Sequence, residues 1–191
     1  KLNSNLIAVK KPVFPFNKFP NQNIFLSPEM KSTGEVIGFD KHLGSAYAKA
    51  ELAAGNKIPL KGTIFISVND SDKQEIIKIA RDLDEMEYNI IATKGTAQLF
   101  LENGISCNHI FKVGEGRPNI VDSIKNNKIS MIINTPLGAQ SRYDEYEIGK
   151  AAIKHNIPVI TTIAGAFAIL RAIRIILNNK ISYTSLQKIF K

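Results

Sequence analysis

The chain has 191 residues, a length that corresponds to one domain or to one domain with part of a second. Its hydrophobic and charged contents of 44% and 22% are ordinary for a globular protein, and no basic run interleaved with aromatic residues accompanies the net charge of +8, which argues against nucleic-acid binding. The single cysteine excludes an intrachain disulfide, and the three histidines lack the spacing of metal ligands, so no metal site is predicted.

The first 55 or so residues contain little periodic structure. The stretch from Pro12 to Pro20 is rich in proline and phenylalanine, which forbids a helix and favours edge strands or extended chain. One helix is predicted from about Lys41 to Gly55, where Gly55 ends it. Since this is too little to bury a core, we predict that residues 1–56 are the tail of another domain and that 57–191 form a second domain. The chain begins without Met or a signal peptide, so we expect it to start within a longer polypeptide.

After this boundary, apolar runs alternate with segments of helical periodicity. The runs predict five strands, at Gly62–Val68, Tyr88–Ala92, Ser106–Phe111, Ser130–Thr135 and Pro158–Thr162. Helices are predicted over 70–87, from 98 to about 104, over 119–127, from about 144 to 155, and from 164 onward. Unbroken apolar runs are typical of strands buried on both faces, so the sequence predicts an α/β fold with a doubly wound, mostly parallel five-stranded sheet.

Two of these helices carry further signals. Ser71 and Gln74 are spaced as a capping box at the start of the first one. The last one is the most apolar segment, but residues 163–177 are few for a membrane span and include Arg171 and Arg174. We therefore predict a buried helix, no membrane association and, with only one cysteine in the chain, a cytoplasmic protein.

Polar side chains follow every predicted strand, at the edge where parallel sheets bind ligands. The motif ATKGTA, residues 92–97, combines the free N–H groups of a helix start with hydroxyl donors and a glycine that lets a ligand approach. The sequence therefore predicts a phosphate site, and its candidate residues are Ser67, Lys73, Thr93, Lys94, Gly95, Thr96, Lys112, Asn134 and Thr135. The alternative is that these groups are helix caps and solvated surface residues.

No acid–base partner accompanies these donors in the sequence. The nearest carboxylates are Asp122, on a helix face, and Glu115, in a loop, and no Cys–His or Ser–His pair is suggested. Donors without such a partner bind better than they react, so we predict a sensor domain with no catalytic residue.

Several motifs resemble one family. The segments PFNKFP and SPEMKSTGEVIG, at residues 15–20 and 27–38, resemble the end of the second ATP-grasp domain of the carbamoyl-phosphate synthase large subunit. The blocks ATKGTA, KVGEGRP and IINT resemble the C-terminal domain of that subunit, which has the methylglyoxal-synthase-like fold. The similarity covers nearly the whole chain in the same order, so it implies an ATP-grasp tail followed by an allosteric domain.

The resemblance implies a parent enzyme that makes carbamoyl phosphate from bicarbonate, glutamine-derived ammonia and ATP, with Mg or Mn, for arginine and pyrimidine biosynthesis. Its C-terminal domain binds UMP or IMP, and its partners are the rest of the large subunit, the glutaminase small subunit and possible further copies. The ATP and metal ligands would lie upstream of Lys1, so no cofactor is expected in this chain.

The resemblance also implies roles for individual residues. At two positions this chain departs from the pattern of the family. The nucleotide contacts fall on Ser67, Lys73, Thr93, Thr96, Lys112 and Asn134, and an ornithine contact falls on Thr161. Pro136 replaces a threonine of the nucleotide site. Lys11 replaces an acidic residue that helps to bind ornithine, and a lysine cannot pair with an ammonium, which argues against ornithine activation.

Two alternatives remain. Methylglyoxal synthase shares the fold and phosphate site, but it needs an aspartate near position 117, where this chain has Arg117, and another that is not evident over 136–139. A cation cannot act as the general base, which argues against this enzyme. A structural or oligomerisation module that binds no ligand is the other alternative.

Overall fold

The computed structural model describes residues 5–16, 18, 29–135, 142–178 and 181–189, and these form two compact units. The first unit comprises the described residues up to Phe14, Ser32–Leu60 and the chain from Ala168 onward. The second comprises the described part of Pro15–Lys31 together with Lys61–Phe167. A compact unit of the structure need not match a domain defined by sequence similarity. The division into two domains at residue 56 therefore stays a prediction. Residues 17, 19, 20, 27 and 28 and residues 136–139, which belong to the motifs named above, lie outside the described residues.

The first unit is built on a two-stranded antiparallel sheet. Strands β1, Ile7–Val13, and β2, Gly34–Asp40, pair in a register that runs from Ile7 opposite Asp40 to Val13 opposite Gly34. Helix α1, Leu43–Ala53, packs on this sheet through small residues. A side chain at Gly38 would collide with the backbone of Ala46, so glycine is what lets strand and helix approach this closely.

Helix α1 ends as the sequence predicts. Gly55 has φ +82°, a left-handed conformation that favours glycine, and its N–H donates to the carbonyl of Leu52 at 3.0 Å. One turn earlier, the carboxylate of the buried residue Glu51 accepts hydrogen bonds from Lys11 Nζ at 2.6 Å and from Asn56 Nδ2 at 2.7 Å. The Lys11–Glu51 pair therefore ties β1 to α1.

The second unit contains a five-stranded sheet whose strand pairs are all parallel. Its strands are β3, Thr63–Ser67; β4, Asn89–Ala92; β5, Asn108–His109; β6, Met131–Asn134; and β7, Val159–Ile160. The spatial order is β5-β4-β3-β6-β7, which confirms the doubly wound fold predicted from sequence. The outer strands β5 and β7 have two residues each and are shorter than predicted.

Helices follow the strands in the predicted alternation. They are α2, Lys73–Glu85, preceded by a 3₁₀ turn at Asp70–Asp72; α3, Lys94–Glu102; α4, Ile120–Lys125; α5, Arg142–Lys154; α6, Ile163–Leu177; and α7, Leu186–Ile189. Among the described residues, no helix is both long and apolar enough to cross a bilayer.

Two local predictions were wrong. The capping box predicted at Ser71 is absent, because Oδ1 of Asn69 accepts the N–H of Asp72 and the hydroxyl of Ser71 instead. The complete capping box lies at the start of α4, where Asn119 and Asp122 exchange side-chain and backbone hydrogen bonds. Helix α3 begins at Lys94, within ATKGTA, although the sequence placed its start after that motif.

The apolar core covers the central strands. Phe65 of β3 and Ile132 of β6 pack with Ile120 and Ile124 of α4 and with Ile148 of α5. Since side chains alternate along a strand, Ile64 and Ile66 face the opposite side of the sheet and are fully buried there. Both faces of the sheet are therefore covered, as the unbroken apolar runs indicated.

Candidate anion site at the strand ends

The central strand β3 is the point at which the chain reverses its direction across the sheet. The chain proceeds from β3 to β4 and β5 on one side, and it adds β6 and β7 on the other. Connections that leave in opposite directions open a crevice at the carboxyl ends of the strands. Ser67 ends β3, Thr93 follows β4 and Thr135 follows β6, so these three residues lie at neighbouring strand ends.

Hydroxyl groups at this edge are buried and close to one another. Ser67, Thr93, Thr96 and Thr135 are each no more than 6% exposed. Oγ of Ser67 lies 3.4 Å from Oγ1 of Thr93, and the N–H of Asn69 donates to Oγ1 of Thr135 at 3.1 Å. The N–H of Thr135 donates in turn to the carbonyl of Ser67 at 3.0 Å, which fixes the ends of β3 and β6 together.

The start of α3 offers backbone donors beside these hydroxyls. Thr93 occupies the N-cap position, but its side chain makes no capping hydrogen bond. The first helical bond runs from the N–H of Ala97 to the carbonyl of Thr93 at 2.8 Å. The N–H groups of Lys94, Gly95 and Thr96 precede that bond and have no acceptor within the helix, so they suit an anion. The alternative that Thr93 serves as an ordinary side-chain cap is not what the geometry shows.

Gly95 stands in open space. A Cβ built at this position meets no atom within 4 Å, and its φ is not positive. Neither backbone conformation nor packing therefore requires glycine here. Gly95 is exposed, so this space opens to solvent and leaves room for a ligand to approach the backbone.

Two lysines flank this edge, and each has acidic neighbours, of which only Glu115 was named from the sequence. Nζ of Lys73, the first residue of α2, lies 2.7 Å from Oδ1 of the exposed Asp70. The hydrogen bond and charge of Lys73 hold the pKa of Asp70 below its usual value. The spacing of three residues across the start of a helix is the signal that could have revealed this pair.

Lys112 follows the outer strand β5. Strand β4 lies between β5 and β3, the strand that ends at Ser67. Its N–H donates to Oε2 of Glu115 at 3.1 Å. Burial raises the pKa of Asp144, the charges of Glu115 and Glu145 add to this effect, and the charge of Lys112 opposes it. Asp144 is therefore within electrostatic reach of Lys112, although no sequence pattern connected the two.

The remaining candidates lie on either side of this centre. Asn134, opposite Ser67 in the register of β3 and β6, is partly buried. Thr161 follows the other outer strand, β7, and is exposed. The next residue, Thr162, accepts the N–H of Gly165 at 3.1 Å and so caps α6. The structure thus brings Ser67, Thr93 and Thr135 together at the centre, and it leaves Lys112 and Thr161 at opposite outer strands.

The other reactive side chains have structural roles in the described part of the chain. Asp122 belongs to the capping box of α4, and its carboxylate lies 3.8 Å from Arg117. The ring of His109 meets that of Phe111 edge to face, with centroids 5.1 Å apart. Burial raises the pKa of the Cys107 thiol to about 11, which keeps it protonated at neutral pH. Over the described ranges, no group of three or more His, Cys, Asp or Glu residues could hold a metal.

Comparison with known proteins connects this architecture to one family. The MGS-like domain family matches residues 75–161. A carbamoyl phosphate synthase large chain from Nostoc sp. strain PCC 7120 is 46% identical over 182 residues, which are 95% of this chain and 16% of the relative. Another from Archaeoglobus fulgidus is 48% identical over 98% of this chain and 18% of its own length.

The chain belongs to the carbamoyl phosphate synthase large-chain family, in its C-terminal region. A carbamoyl phosphate synthase large chain, C-terminal section, from Methanopyrus kandleri is 48% identical over 97% of this chain and 34% of its own length. The chain thus spans between 16% and 34% of the length of these three relatives. A crystal structure of methylglyoxal synthase from Elizabethkingia anophelis NUHP1 matches 59% of this chain and 79% of its own, with a TM-score of 0.49 and 19% identity.

Proposed function

We propose that this chain is the regulatory C-terminal region of a glutamine-hydrolysing carbamoyl phosphate synthase large subunit and that its strand-end site binds the phosphate of UMP or IMP. The observation that carries the proposal is the pair of buried hydroxyls, Ser67 and Thr93, beside a helix start that Thr93 leaves uncapped. The large-chain names of the relatives support the identity of the parent enzyme.

A phosphate group suits this arrangement for a physical reason. Its oxygens accept several hydrogen bonds at once, and they can receive the N–H groups of Lys94, Gly95 and Thr96 together with the two hydroxyls. Lys73 supplies positive charge at the start of α2. Its ammonium would leave Asp70 and bind the phosphate instead. Lys112 adds a second charge from the side of β5, and Asn134 and Thr135 supply polar groups on the side of β6.

Regulation without turnover follows from the same set of groups. The candidate residues at the strand ends offer donors and positive charge, and two carboxylates nearest to them, those of Asp70 and Glu115, are engaged by Lys73 and by the N–H of Lys112, so we infer that the site holds a ligand without transforming it. Synthesis of carbamoyl phosphate from bicarbonate, glutamine-derived ammonia and ATP, with Mg or Mn, would take place elsewhere in the parent enzyme. Coupling to that activity requires the effector to prefer one conformation, typically by about 1–3 kcal/mol.

We also propose a pathway, a compartment and partners for the parent enzyme. A large subunit of this kind would serve arginine and pyrimidine biosynthesis in the cytoplasm, together with a glutaminase small subunit and the remainder of its own chain. Residues 1–56 would be the end of an ATP-grasp domain, and 57–191 the allosteric domain.

Ornithine is not expected to act on this chain. Lys11 stands where an acidic residue would be needed, and its ammonium is already bound to Glu51 at 2.6 Å. The ammonium of ornithine would meet the positive charge of Lys11 at this position, and the carboxylate of Glu51 is already paired with Lys11. Thr161 alone, exposed after β7, does not supply the missing counter-charge.

A thermal-shift panel of UMP, IMP, ornithine and inorganic phosphate on the 191-residue chain tests the proposal. We expect UMP or IMP to raise the melting temperature more than phosphate does, and ornithine to leave it unchanged. Failure of every phosphate compound to stabilise the chain would favour a structural module. Release of methylglyoxal from dihydroxyacetone phosphate would instead identify a lyase.

A further inference from the structure

A second concave surface lies within the second unit, beside the last turn of α4. It is a pocket of about 320 Å³, which we call the α4 pocket, bounded by Thr63, Asn89, residues 109–111, Ser123 and residues 128–129. None of these residues belongs to the strand-end site. The volume lies within the range of about 300–1,000 Å³ that is usual for small-ligand sites.

The interior of the α4 pocket is apolar. Ile110 and Ile129 are buried, Ile91 is partly buried, and all three line the pocket. The same three side chains belong to, or pack against, the core cluster on the α4 side of the sheet. An apolar group placed in the pocket would therefore extend that core and be removed from water.

The ring of Phe111 forms one wall of the pocket and is held from two directions. The side chain is 39% exposed, and the ring of His109 contacts it edge to face. A Cβ built at Gly116 would lie 3.1 Å from the Phe111 ring, so the backbone of the following loop also packs closely against it. A fixed, partly exposed aromatic ring is a surface on which a second ring packs well.

Polar groups surround this apolar interior. Nδ2 of Asn89 donates to Oγ1 of Thr63 at 3.1 Å, between the paired first residues of β4 and β3. The N–H of Lys128 donates to the carbonyl of Ser123 at 3.0 Å, so the two residues lie side by side. One ammonium and one hydroxyl are therefore available next to each other.

The charge around the α4 pocket is positive. Lys128 is exposed, and it forms no ion pair with a carboxylate of the described residues. Neither Asp nor Glu occurs among the described residues that line the pocket, and Lys128 is the one lysine or arginine among them. A single permanent cation beside an apolar pocket is complementary to a ligand with one negative charge.

We propose that the α4 pocket binds a small aromatic carboxylate, a single ring with one negative charge. The ring packs on Ile91 and Ile129 and against Phe111, and the carboxylate accepts hydrogen bonds from the Lys128 ammonium and the Ser123 hydroxyl. A volume near the lower limit for ligand sites favours one ring over a nucleotide, whose phosphate also carries more charge than one lysine balances. The site shares no residue with the strand ends, so it does not depend on the nucleotide proposal.

Site-resolved NMR titration of the 191-residue chain with benzoate tests the proposal. We expect saturable shifts of the Asn89 side-chain amide, the Phe111 ring and the Lys128 backbone amide. Benzamide, which lacks the charge, and acetate, which lacks the ring, should each produce weaker shifts at equal concentration. The amides of Lys94 to Thr96 report separately on the strand-end site, so the failure of one site is distinguished from the failure of the other.

Variants separate the contributions of charge and ring. K128Q should weaken benzoate binding, followed at the Asn89 side chain, by about fivefold or more, because a charge-assisted hydrogen bond is lost. K125Q, which removes an exposed lysine of α4 that does not line the pocket, is the matched control and should leave binding unchanged. F111L should reduce the advantage of benzoate over acetate, because the ring loses its aromatic partner.

Three results would overturn the proposal. The first is equal affinity for benzoate in K128Q and the unaltered chain. The second is a response to acetate as strong as the response to benzoate, or shifts that do not saturate. The third is a set of shifts at the α4 pocket that depends on protein concentration without benzoate, which would show that a second copy of the chain occupies it.

Discussion

At Gly95, folding and ligand binding are expected to favour different residues. An alanine methyl group at this position would have no atom within 4 Å outside its own turn of helix, and φ is not positive. Alanine is preferred to glycine inside helices by about 1 kcal/mol. The fold alone would therefore accept alanine in the first turn of α3.

Substitution G95A should consequently stabilise the chain and weaken phosphate binding. We expect up to about 1 kcal/mol of added stability in urea unfolding, because the helix gains a residue of higher propensity. Affinity for UMP or IMP in calorimetry should fall about tenfold or more, because the methyl group stands beside the donor N–H groups. Unchanged affinity with raised stability would place the ligand elsewhere.

Lys73 is predicted to contribute charge to the same site. Removal of its ammonium in K73A should weaken nucleotide binding by about tenfold or more in calorimetry, because a charge-assisted hydrogen bond is lost. K78A, which removes an exposed lysine from the same helix, is the control and should have little effect. D70N should have the opposite effect to K73A, a modest gain in affinity, because Lys73 would no longer be engaged by Asp70. Equal affinities for K73A and the unaltered chain would contradict the assigned role.

At the scale of elements, the Lys11–Glu51 pair connects β1 to α1. Glu51 is buried, whereas the Lys11 side chain is 28% exposed. K11M should destabilise the chain by about 3 kcal/mol, the low end for a broken buried pair, because Glu51 would keep an unpaired charge. Urea unfolding measures the loss.

A neighbouring pair on the same sheet supplies the matched control for K11M. Lys10 and Glu35 lie 2.7 Å apart with side chains more than half exposed. K10M should change stability by no more than about 1 kcal/mol, since exposed pairs contribute little. Similar losses for K10M and K11M would show that burial of Glu51 is not the cause.

The Asp40–Lys49 pair makes the junction of β2 and α1 sensitive to acid. The folded pKa of Asp40 lies below its unfolded value of about 3.9, so its contribution is present above that pH and is lost as the pH falls through the folded pKa. Below about pH 4, D40N should therefore lose stability less steeply than the unaltered chain. Melting temperatures measured at intervals from about pH 5 to pH 2 test this sign, and parallel curves would refute it.

At the scale of the whole molecule, strand order determines which side chains meet. The order β5-β4-β3-β6-β7 places the ends of β4 and β6 on either side of β3. A ligand held there contacts segments from three separate parts of the sequence. It therefore binds the folded chain and not the unfolded one.

Ligand binding at the strand ends should accordingly raise the free energy of unfolding. At a concentration about one hundred times its dissociation constant, UMP or IMP should add about 2.7 kcal/mol. At the same concentration the gain should fall to about 1.4 kcal/mol or less in G95A and K73A, because their affinity is expected to be about tenfold lower or more. A constant gain across these variants would indicate binding at another place.

Much of the fold could be predicted because its signals are local. The apolar runs of β3, β4 and β6 and the periodic face of α2 were identified correctly, since burial imposes a period within a single element. The predictions failed at element ends. Asn69 displaced the expected cap at Ser71, because nearby polar groups compete for the same backbone donor, and α3 began at Lys94, four residues before its predicted start at Gln98.

The amino-acid sequence by itself determined the alternation of strands and helices, the polar residue after each strand and the family to which the chain is similar. Only the tertiary structure decided that Ser67, Thr93 and Thr135 lie at adjacent strand ends while Lys112 and Thr161 follow outer strands. It also decided that the hydroxyl of Thr93 faces Ser67 and that Lys11 pairs with Glu51, forty positions away. The physical reason is that these contacts depend on strand order and packing between distant segments, which no local periodicity encodes.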